Sequence, residues 1–209
     1  MAKKPSIILY GAGGHGKVIA DMVEKEGRYT VGGFLDDKAM GEMFGIPVLG
    51  GKSMISALRK KGIDGAVVSI GSGKARAALQ KDLRDAGLKI MTVCHPSAQI
   101  ARGASLGEGT VVMPCAVVGP DADIGQGSII NTSASVDHDC TLGEFVHIAP
   151  GAHLAGGVRV GAFTHIGIGS AVKEGVTIGK NVTVGAGSVV IDDLPDGCTA
   201  YGVPAKAQV

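Results

Sequence analysis

The second half of the chain carries a strict six-residue hydrophobic period. From Ile100 to Val190, sixteen positions spaced by six residues are all Ile, Leu or Val. The position two residues before each of them is small, never larger than Val. Because side chains two apart on a strand share a face, each six-residue unit sends one large and one small side chain inward. The period predicts short strands separated by corners.

Strands of this kind close into a parallel β-helix shaped as a triangular prism, with three units to a coil. The repeat predicts coils of 18 residues, about five of them, between residues 97 and 192. Each coil buries its apolar side only against its neighbours, as in other solenoids. Gly follows the large residue in eight of the sixteen units, and we interpret it as the residue that permits the corner.

The first 95 residues instead alternate short apolar runs with helical patterns, which is typical of a parallel sheet. The pattern predicts strands at 6–10, 30–35, 66–70 and 89–93, and helices at 17–26, 53–61 and 75–86. The expected fold class is therefore an α/β, Rossmann-like half domain followed by a β-helix. We place the two domains at residues 1–94 and 95–209.

A glycine-rich turn, GAGGHG at residues 11–16, joins the first strand to the first helix. In that context its backbone N–H groups face a diphosphate, and Asp36 or Asp37 after the second strand suits a ribose hydroxyl. A dinucleotide fold needs two such halves, so a mononucleotide or nucleotide-sugar site fits better than NAD. A tight turn without a ligand stays open. The candidate substrate-binding residues are Gly11, Gly13, Gly14, His15, Asp36 and Asp37.

Composition narrows the function classes. Lys and Arg total 20 against 19 Asp and Glu, which leaves no electrostatic footprint for nucleic acid. No apolar stretch is long enough to span a membrane. The four cysteines form no C-x-x-C pair, and we interpret them as reduced thiols of a cytoplasmic protein.

His138 is the strongest candidate for chemistry in the coil. It lies at a corner between Asp137 and Asp139. Acyl transfer to an amine or hydroxyl needs a base beside the nucleophile, and a neighbouring carboxylate fixes the tautomer of that base. No Ser or Cys accompanies His138 in a triad-like pattern, so we expect direct attack without a covalent acetyl-enzyme.

Three other histidines, His147, His153 and His165, each precede an inward position and are expected to point outward. His147 and His165 are 18 residues apart and should stack on one face. Stacked imidazoles are compatible with zinc, although no ligand spacing makes a metal site specific, and we predict none. Surface or interface packing is the alternative for His153 and His165.

Taken together, the chain resembles the hexapeptide-repeat sugar acetyltransferases that include sialic acid O-acetyltransferases. It is most similar to the nucleotide-sugar N-acetyltransferases of the bacillosamine and perosamine pathways. The resemblance spans essentially the whole chain. It rests on GAGGHGKV (11–18), FLDD (34–37), HPSA (95–98), IINTSASVDHDC (129–140), GEFVHIAPGAHLAGGVRVG (143–161) and YGVPAK (201–206).

The resemblance implies a left-handed coil, acetyl-CoA as co-substrate, and a homotrimer. It makes His138 the general base and Asp139 its partner. The residues that it assigns to acetyl-CoA and the acceptor are Asn131, His147, Ala155, Gly156, Gly202, Pro204 and Lys206. Bacillosamine-type members tend to carry Glu where this chain has Asp139, and perosamine-type members carry Asp. UDP-sugar and GDP-sugar therefore both stay open.

His138 and His147 are nine residues apart, which is half a coil, so they are expected on opposite sides of the prism. If both act, His138 of one chain must face His147 of the next, and the active site is shared between chains of the trimer. Two other functions stay open: O-acetylation of a sialic or related sugar, and a non-catalytic nucleotide-binding module on a trimeric scaffold.

Overall fold

The computed structural model describes residues 4–208. The chain forms two compact units, and the boundary between them in the sequence lies between Pro96 and Ser97. The first unit contains two 13-residue helices. Neither is long and apolar enough to cross a membrane, and the same holds for every helix within residues 4–208.

The first unit is a four-stranded parallel sheet with helices. Its elements are β1 (Ser6–Tyr10), α1 (Gly14–Glu26), β2 (Thr30–Leu35), β3 (Glu42–Met43), β4 (Ile46–Pro47), two 3₁₀ turns (Lys52–Ala57 and Arg59–Lys61), β5 (Ile63–Val68), α2 (Gly73–Asp85), β6 (Lys89–Ile90) and β7 (Val93–Cys94). The strand order is β2-β1-β5-β6. After β1 the chain adds β2 on one side of the sheet, and after β5 it adds β6 on the other side. The strand order therefore reverses between β1 and β5.

A buried apolar cluster holds this unit together, with Ile8, Leu35, Leu58, Val68 and Leu83 at its centre. All five side chains are at most 1% exposed. The expected parallel α/β sheet is therefore confirmed. It places the glycine turn after β1 and a second glycine-containing turn, GSG at residues 71–73 after β5, at the same edge of the sheet.

Three local predictions for this unit were wrong. The helix expected at 53–61 is two 3₁₀ turns, because its buried residues Ile55 and Leu58 are three apart and the backbone closes with i+3 bonds. The strand expected at 66–70 is β5, which begins at Ile63 and ends at Val68. Ser69 follows it and donates its hydroxyl to the Tyr10 and Gly11 carbonyls. The last strand splits into β6 and β7, and the β3–β4 hairpin was not anticipated.

The second unit is the predicted parallel β-helix. Its sixteen two-residue strands each end in one of the sixteen large apolar residues. They are β8 (Gln99–Ile100), β9 (Ser105–Leu106), β10 (Val111–Val112), β11 (Val117–Val118), β12 (Asp123–Ile124), β13 (Ile129–Ile130), β14 (Ser135–Val136), β15 (Thr141–Leu142), β16 (His147–Ile148), β17 (His153–Leu154), β18 (Arg159–Val160), β19 (His165–Ile166), β20 (Ala171–Val172), β21 (Thr177–Ile178), β22 (Thr183–Val184) and β23 (Val189–Val190). From Val112 onward every one of these large residues is buried.

The strands form three sheets, which we name the faces of the prism. Face 1 contains β8, β11, β14, β17, β20 and β23; face 2 contains β9, β12, β15, β18 and β21; face 3 contains β10, β13, β16, β19 and β22. Strands pair in parallel with a register of 18 residues, as in Val117 with Ser135. After β23, the antiparallel hairpin of β24 (Thr199–Gly202) and β25 (Ala205–Gln208) extends face 3.

The corners arise differently from our expectation. The Gly that follows a large residue does not have positive φ; at Gly125, for example, a side chain would lie 2.5 Å from the Gly143 backbone of the next coil. The turn is made two residues later, where fifteen positions spaced by six, from Gly103 to Gly187, have φ between 55° and 81°. The first glycine therefore permits the close approach of coils, and the later position makes the corner.

Candidate active site

His138 lies at the corner between faces 1 and 2, where β14 ends and β15 has not begun. The corner-making residue is Asp139, with φ 59°, and its backbone N–H donates to the Pro120 carbonyl of the previous coil at 3.0 Å. The Nδ1–H of His138 donates to Asp139 Oδ2 at 2.7 Å. The backbone N–H of His138 donates to Asp137 Oδ1 at 2.8 Å. Of the two flanking carboxylates, either of which could have assisted the imidazole, Asp139 contacts the ring and Asp137 contacts the backbone of His138.

These contacts determine the protonation of the imidazole. Because Nδ1 keeps its proton for Asp139, the neutral ring presents its lone pair at Nε2. The hydrogen bond to Asp139, followed by the negative charge of Asp137, raises the pKa of His138 above its usual value. The side chain is solvent-exposed in the single chain, with 59% of its surface accessible. This arrangement suits a base that accepts a proton from a bound acceptor.

Gly156 lies one coil beyond His138, in the same corner column. A methyl group built on Gly156 would be 2.5 Å from both Nε2 and Cε1 of His138. The backbone N–H of the next residue, Gly157, donates to the His138 carbonyl at 2.9 Å. The missing side chain at 156 therefore leaves the space that the imidazole occupies. Gly156 follows His138 by 18 residues, so the spacing could have predicted that the two lie in contact. In the sequence analysis, however, only the family resemblance indicated a role for Gly156.

Face 3 carries a second polar group. Asn131 Nδ2 donates to His147 Nε2 at 3.0 Å, and the side-chain oxygen Oδ1 of Asn131 accepts from the Thr132 N–H at 2.8 Å. The predicted stacking of His147 with His165 is confirmed: their rings meet edge to face, with centroids 4.8 Å apart. His147 is thereby held from two sides, by an amide and by a ring. The sequence predicted that His165 stacks with His147 but did not indicate that it helps to hold His147 in place.

The coil places its predicted site residues in separate groups. His138, Asp139, Ala155 and Gly156 lie at the corner between faces 1 and 2, while His147 lies on face 3, which is opposite that corner. The spacing argument for opposite sides of the prism is therefore confirmed. A single coil cannot direct both histidines at one group.

The C-terminal candidates Gly202, Pro204 and Lys206 lie in the β24–β25 hairpin. The Gly202 N–H donates to the Ser188 hydroxyl at 3.3 Å, and the exposed Lys206 ammonium is 3.5 Å from Asp192. This hairpin closes the end of face 3, on the same side of the prism as His147.

In the first unit, the glycine turn opens at the edge of the sheet between β1 and β5. Gly13 is the N-cap of α1 and Gly14 its first residue; a side chain built at either would meet nothing within 4 Å. Gly11, in contrast, has φ 117° and packs against the Ser69 backbone. The α1 N-terminus thus presents bare backbone where parallel sheets of this type bind ligands.

His15 is half-buried in that turn. Burial, together with the positive charge of Arg76, lowers the pKa of His15 to about 4, so the ring is neutral at pH 7. Its Nε2 atom is buried and has no hydrogen-bond partner among residues 4–208. Arg76, in the first turn of α2, is fully buried and donates to the Ile70 and Gly71 carbonyls. Burial lowers the pKa of Arg76 to about 10, which leaves it cationic at pH 7.

Asp36 and Asp37 both accept hydrogen bonds from their own unit. Asp36 accepts from the N–H groups of Ala12, Lys38 and Ala39, which hold its pKa low although partial burial alone would raise it. Asp37 accepts from the Lys52 N–H and the Tyr10 hydroxyl, and these lower its pKa. Asp36 therefore anchors the glycine turn, whereas the exposed Asp37 retains lone pairs for a ligand.

His153 and the four cysteines are the remaining candidates for chemistry. His153 Nδ1 is 2.8 Å from the Ser135 hydroxyl on face 1. All four cysteines are free thiols. Within the described part of the chain, no group of three or more His, Cys, Asp or Glu side chains is arranged to hold a metal ion.

Comparison with known families agrees with this division of the chain. Residues 6–83 match the model of the PglD N-terminal domain, and residues 157–192 match that of bacterial transferase hexapeptide repeats. A search of curated proteins gives no match.

Solved structures extend the similarity to nearly the whole chain. The acetyltransferase domain of PglB from Neisseria gonorrhoeae FA1090 is 40% identical, with a TM-score of 0.94 over 98% of this chain and 100% of that one. A mutant of perosamine N-acetyltransferase from Caulobacter crescentus, in complex with CoA and GDP-perosamine, is 40% identical, with a TM-score of 0.95 over 98% of this chain and 97% of that one. WeeI from Acinetobacter baumannii AYE is 27% identical, with a TM-score of 0.86 over 98% of this chain and 100% of that one. The chain belongs to the acetyl-CoA-dependent, hexapeptide-repeat sugar N-acetyltransferases.

Proposed function

We propose that the protein transfers the acetyl group of acetyl-CoA to the amino group of a nucleotide-linked amino-deoxy sugar, with His138 as the general base. The single observation that carries this proposal is the 2.7 Å hydrogen bond between His138 Nδ1 and Asp139, which leaves Nε2 as the proton acceptor. Similar structures with acetyl-CoA, or with CoA and GDP-perosamine, support the choice of both substrates.

The chemistry follows from that tautomer. Nε2 takes a proton from the attacking amine as its nitrogen bonds to the thioester carbonyl carbon. The tetrahedral intermediate collapses, the carbon–sulfur bond breaks, and the departing CoA sulfur takes a proton from the His138 imidazolium. Asp139 stabilises the imidazolium while it exists. The raised pKa of His138 makes it a stronger base than a free imidazole. It also means that the neutral, proton-accepting form of His138 predominates only at a higher pH.

The first unit would hold the nucleotide part of the acceptor. Bare N–H groups at Gly13 and Gly14 suit a diphosphate, the cationic Arg76 reinforces the positive potential there, and Asp37 suits a hydroxyl or base edge. In the coil, Ala155 and Gly156 would contact the pantetheine of CoA. Its nucleotide would lie near Gly202, Pro204 and Lys206.

Asn131 and His147 would complete the site from a neighbouring chain of a homotrimer. This part of the proposal rests on the position of His147 opposite the corner that carries His138. Three chains about a three-fold axis would repeat the groove three times. The four free thiols are consistent with a cytoplasmic location, which we include in the proposal.

Thiol release from acetyl-CoA in the presence of UDP- and GDP-linked amino sugars tests the function. We expect release with one nucleotide series and none with the corresponding hydroxy sugars. Release with hydroxy sugars instead would indicate O-acetylation. Nucleotide binding without any thiol release would indicate a non-catalytic scaffold.

A further inference from the structure

The carboxylate of Asp37 is held by two donors that come from different elements of the first unit. Its Oδ2 atom accepts from the Tyr10 hydroxyl at 2.8 Å, and its Oδ1 atom accepts from the Lys52 N–H at 2.8 Å. Tyr10 is the last residue of β1, whereas Lys52 begins the first 3₁₀ turn. The Asp37 side chain is nevertheless exposed, and each carboxylate oxygen has a further lone pair. Asp37 is therefore fixed at both oxygens and still open to a ligand.

The first donor, Tyr10, is held by the core of the unit. Its side chain is 2% exposed and belongs to the same buried apolar cluster as Leu35 and Ile55. A buried tyrosine hydroxyl normally finds a hydrogen-bond partner, and here the partner lies 27 residues away in the sequence. Burial, followed by the hydrogen bond to Asp37, raises the pKa of Tyr10 well above its usual value. The hydroxyl therefore keeps its proton, and a packed ring directs it at Asp37.

The second donor is accessible because residue 51 has no side chain. A β-carbon on Gly51 would lie 2.2 Å from Asp37 Oδ1 and 3.1 Å from the Asp37 Cα. The Gly51 backbone has φ −97°, which any residue can adopt, so glycine is needed there for space and not for its conformation. The bare backbone at Gly51 thus lets the carboxylate reach the Lys52 N–H.

We infer that Tyr10 and Gly51 are positioning residues for the acceptor substrate, which hold Asp37 so that its free lone pairs accept hydrogen bonds from N–H or O–H groups of the nucleoside. A carboxylate that is oriented before binding loses less conformational freedom when the ligand arrives, and this gain appears as affinity. The inference rests on the nucleotide site proposed above. It deepens that proposal by naming two residues that act through Asp37.

The charges around Asp37 give the inference a signature that needs no ligand. The Lys52 N–H, followed by the Tyr10 hydroxyl, lowers the pKa of Asp37, while the negative charge of Asp36 opposes them. The Lys52 ammonium also faces this region and is 2.7 Å from Asp82. Loss of the Tyr10 hydroxyl should therefore raise the pKa of Asp37 toward its usual value. Titration of the Asp37 carboxyl carbon by NMR measures this shift.

Tyr10→Phe is the principal test, because it removes the hydroxyl and keeps the buried ring. In calorimetric titrations with UDP and with GDP, we expect the Kd of the nucleotide that the wild type binds to rise roughly 5- to 10-fold, about the effect of one lost hydrogen bond to a charged group. The KM for the nucleotide sugar should rise equally, whereas kcat and the KM for acetyl-CoA should not change. Tyr29→Phe is the matched control, since Tyr29 precedes β2 at the end of the strand opposite Asp37.

Two further variants separate positioning from a general effect on the fold. Gly51→Ala should weaken nucleotide binding in the same way, because its methyl group would displace the Asp37 carboxylate. In an Asp37→Ala background, Tyr10→Phe should cause no further loss of affinity, since the residue through which it acts is gone.

Equal nucleotide affinities of the wild type and Tyr10→Phe would overturn the inference, and so would additive losses in the Asp37→Ala background or an equal loss in Tyr29→Phe. These results require a wild type that binds a nucleotide. A wild type that binds neither UDP nor GDP would instead contradict the proposed nucleotide site, and the inference with it. The two failures are therefore distinguished by the wild-type titration.

Discussion

The backbone of Gly156 lies against the imidazole of His138 from one coil further along the chain, so closely that a β-carbon on Gly156 would be 2.5 Å from Nε2. The 18-residue register fixes this relationship. The imidazole is thereby held between the Gly156 backbone on one side and the Asp139 carboxylate, 2.7 Å from Nδ1, on the other.

Gly156→Ala should displace the imidazole and lower kcat by roughly 10²-fold, the cost of about 1 Å of misplacement at a reacting group. Steady-state thiol release measures this. Glu174→Ala is the matched control, since Glu174 is exposed and lies one further coil along the same column. Full activity of Gly156→Ala, with an unchanged melting temperature, would show that the contact does not position His138.

Asp139→Asn should move the acid limb of the kcat/KM profile to lower pH. The Asp139 hydrogen bond is the largest cause of the raised pKa of His138, so its loss lowers that pKa and the neutral base forms at lower pH. The plateau should also fall, by up to roughly 10⁴-fold, because an amide neither fixes the tautomer of the base nor stabilises the imidazolium. Asp137→Asn should shift the limb in the same direction by less. An unshifted limb in Asp139→Asn would remove His138 from the titration.

His147 is held by the Asn131 amide and by the His165 ring, and the role of His165 can be tested. If the edge of the His165 ring holds His147 in place, His165→Ala should weaken turnover roughly 2- to 10-fold, the range expected for one aromatic pair. His165→Phe keeps a ring and should retain most of the activity. Equal loss in both variants would point instead to a chemical role for the His165 imidazole.

The shared site can be tested by mixing inactive variants. His138→Ala and His147→Ala should each be impaired alone. Unfolding and refolding them together in equal amounts gives, by random assortment, both intact histidines at roughly one interface in four, and about a quarter of the wild-type activity should return. Mixed trimers confirmed by mass spectrometry but without recovery would exclude a site shared by these two residues.

Gly14→Asp tests the nucleotide site without damaging the fold. The new side chain enters open space, and a carboxylate in the first turn favours a helix. The melting temperature should therefore be unchanged or slightly higher, while affinity for UDP or GDP falls because the carboxylate repels the diphosphate. Gly14→Ala is the uncharged control. Calorimetric titration that gave equal affinities for both variants would place the nucleotide elsewhere.

The sequence determined the coil almost completely, because one large and one small inward residue every six positions allow a single register. It did not reveal how the corners turn: Phe145 and Phe163 occupy left-handed positions that their residue type does not favour. The 3₁₀ turns near Ile55 were likewise hidden, since three-residue spacing occurs in α-helices as well. The stacking of His147 on His165 followed from the 18-residue spacing, whereas the roles of Ala155 and Gly156 came from the family resemblance. The bond from the Ala12 N–H to Asp36 joins two loops that are distant in the sequence, so no local pattern predicts it.

The proposed reaction depends on His138 as the base for acetyl transfer. The most direct measurement is the rate of thiol release by His138→Ala, with the accepted nucleotide-linked amino sugar and saturating acetyl-CoA. We predict a kcat lower than that of the wild type by roughly 10²- to 10⁴-fold, with acetyl-CoA affinity nearly unchanged. Near-normal turnover of His138→Ala at neutral pH would show that His138 does not accept the proton.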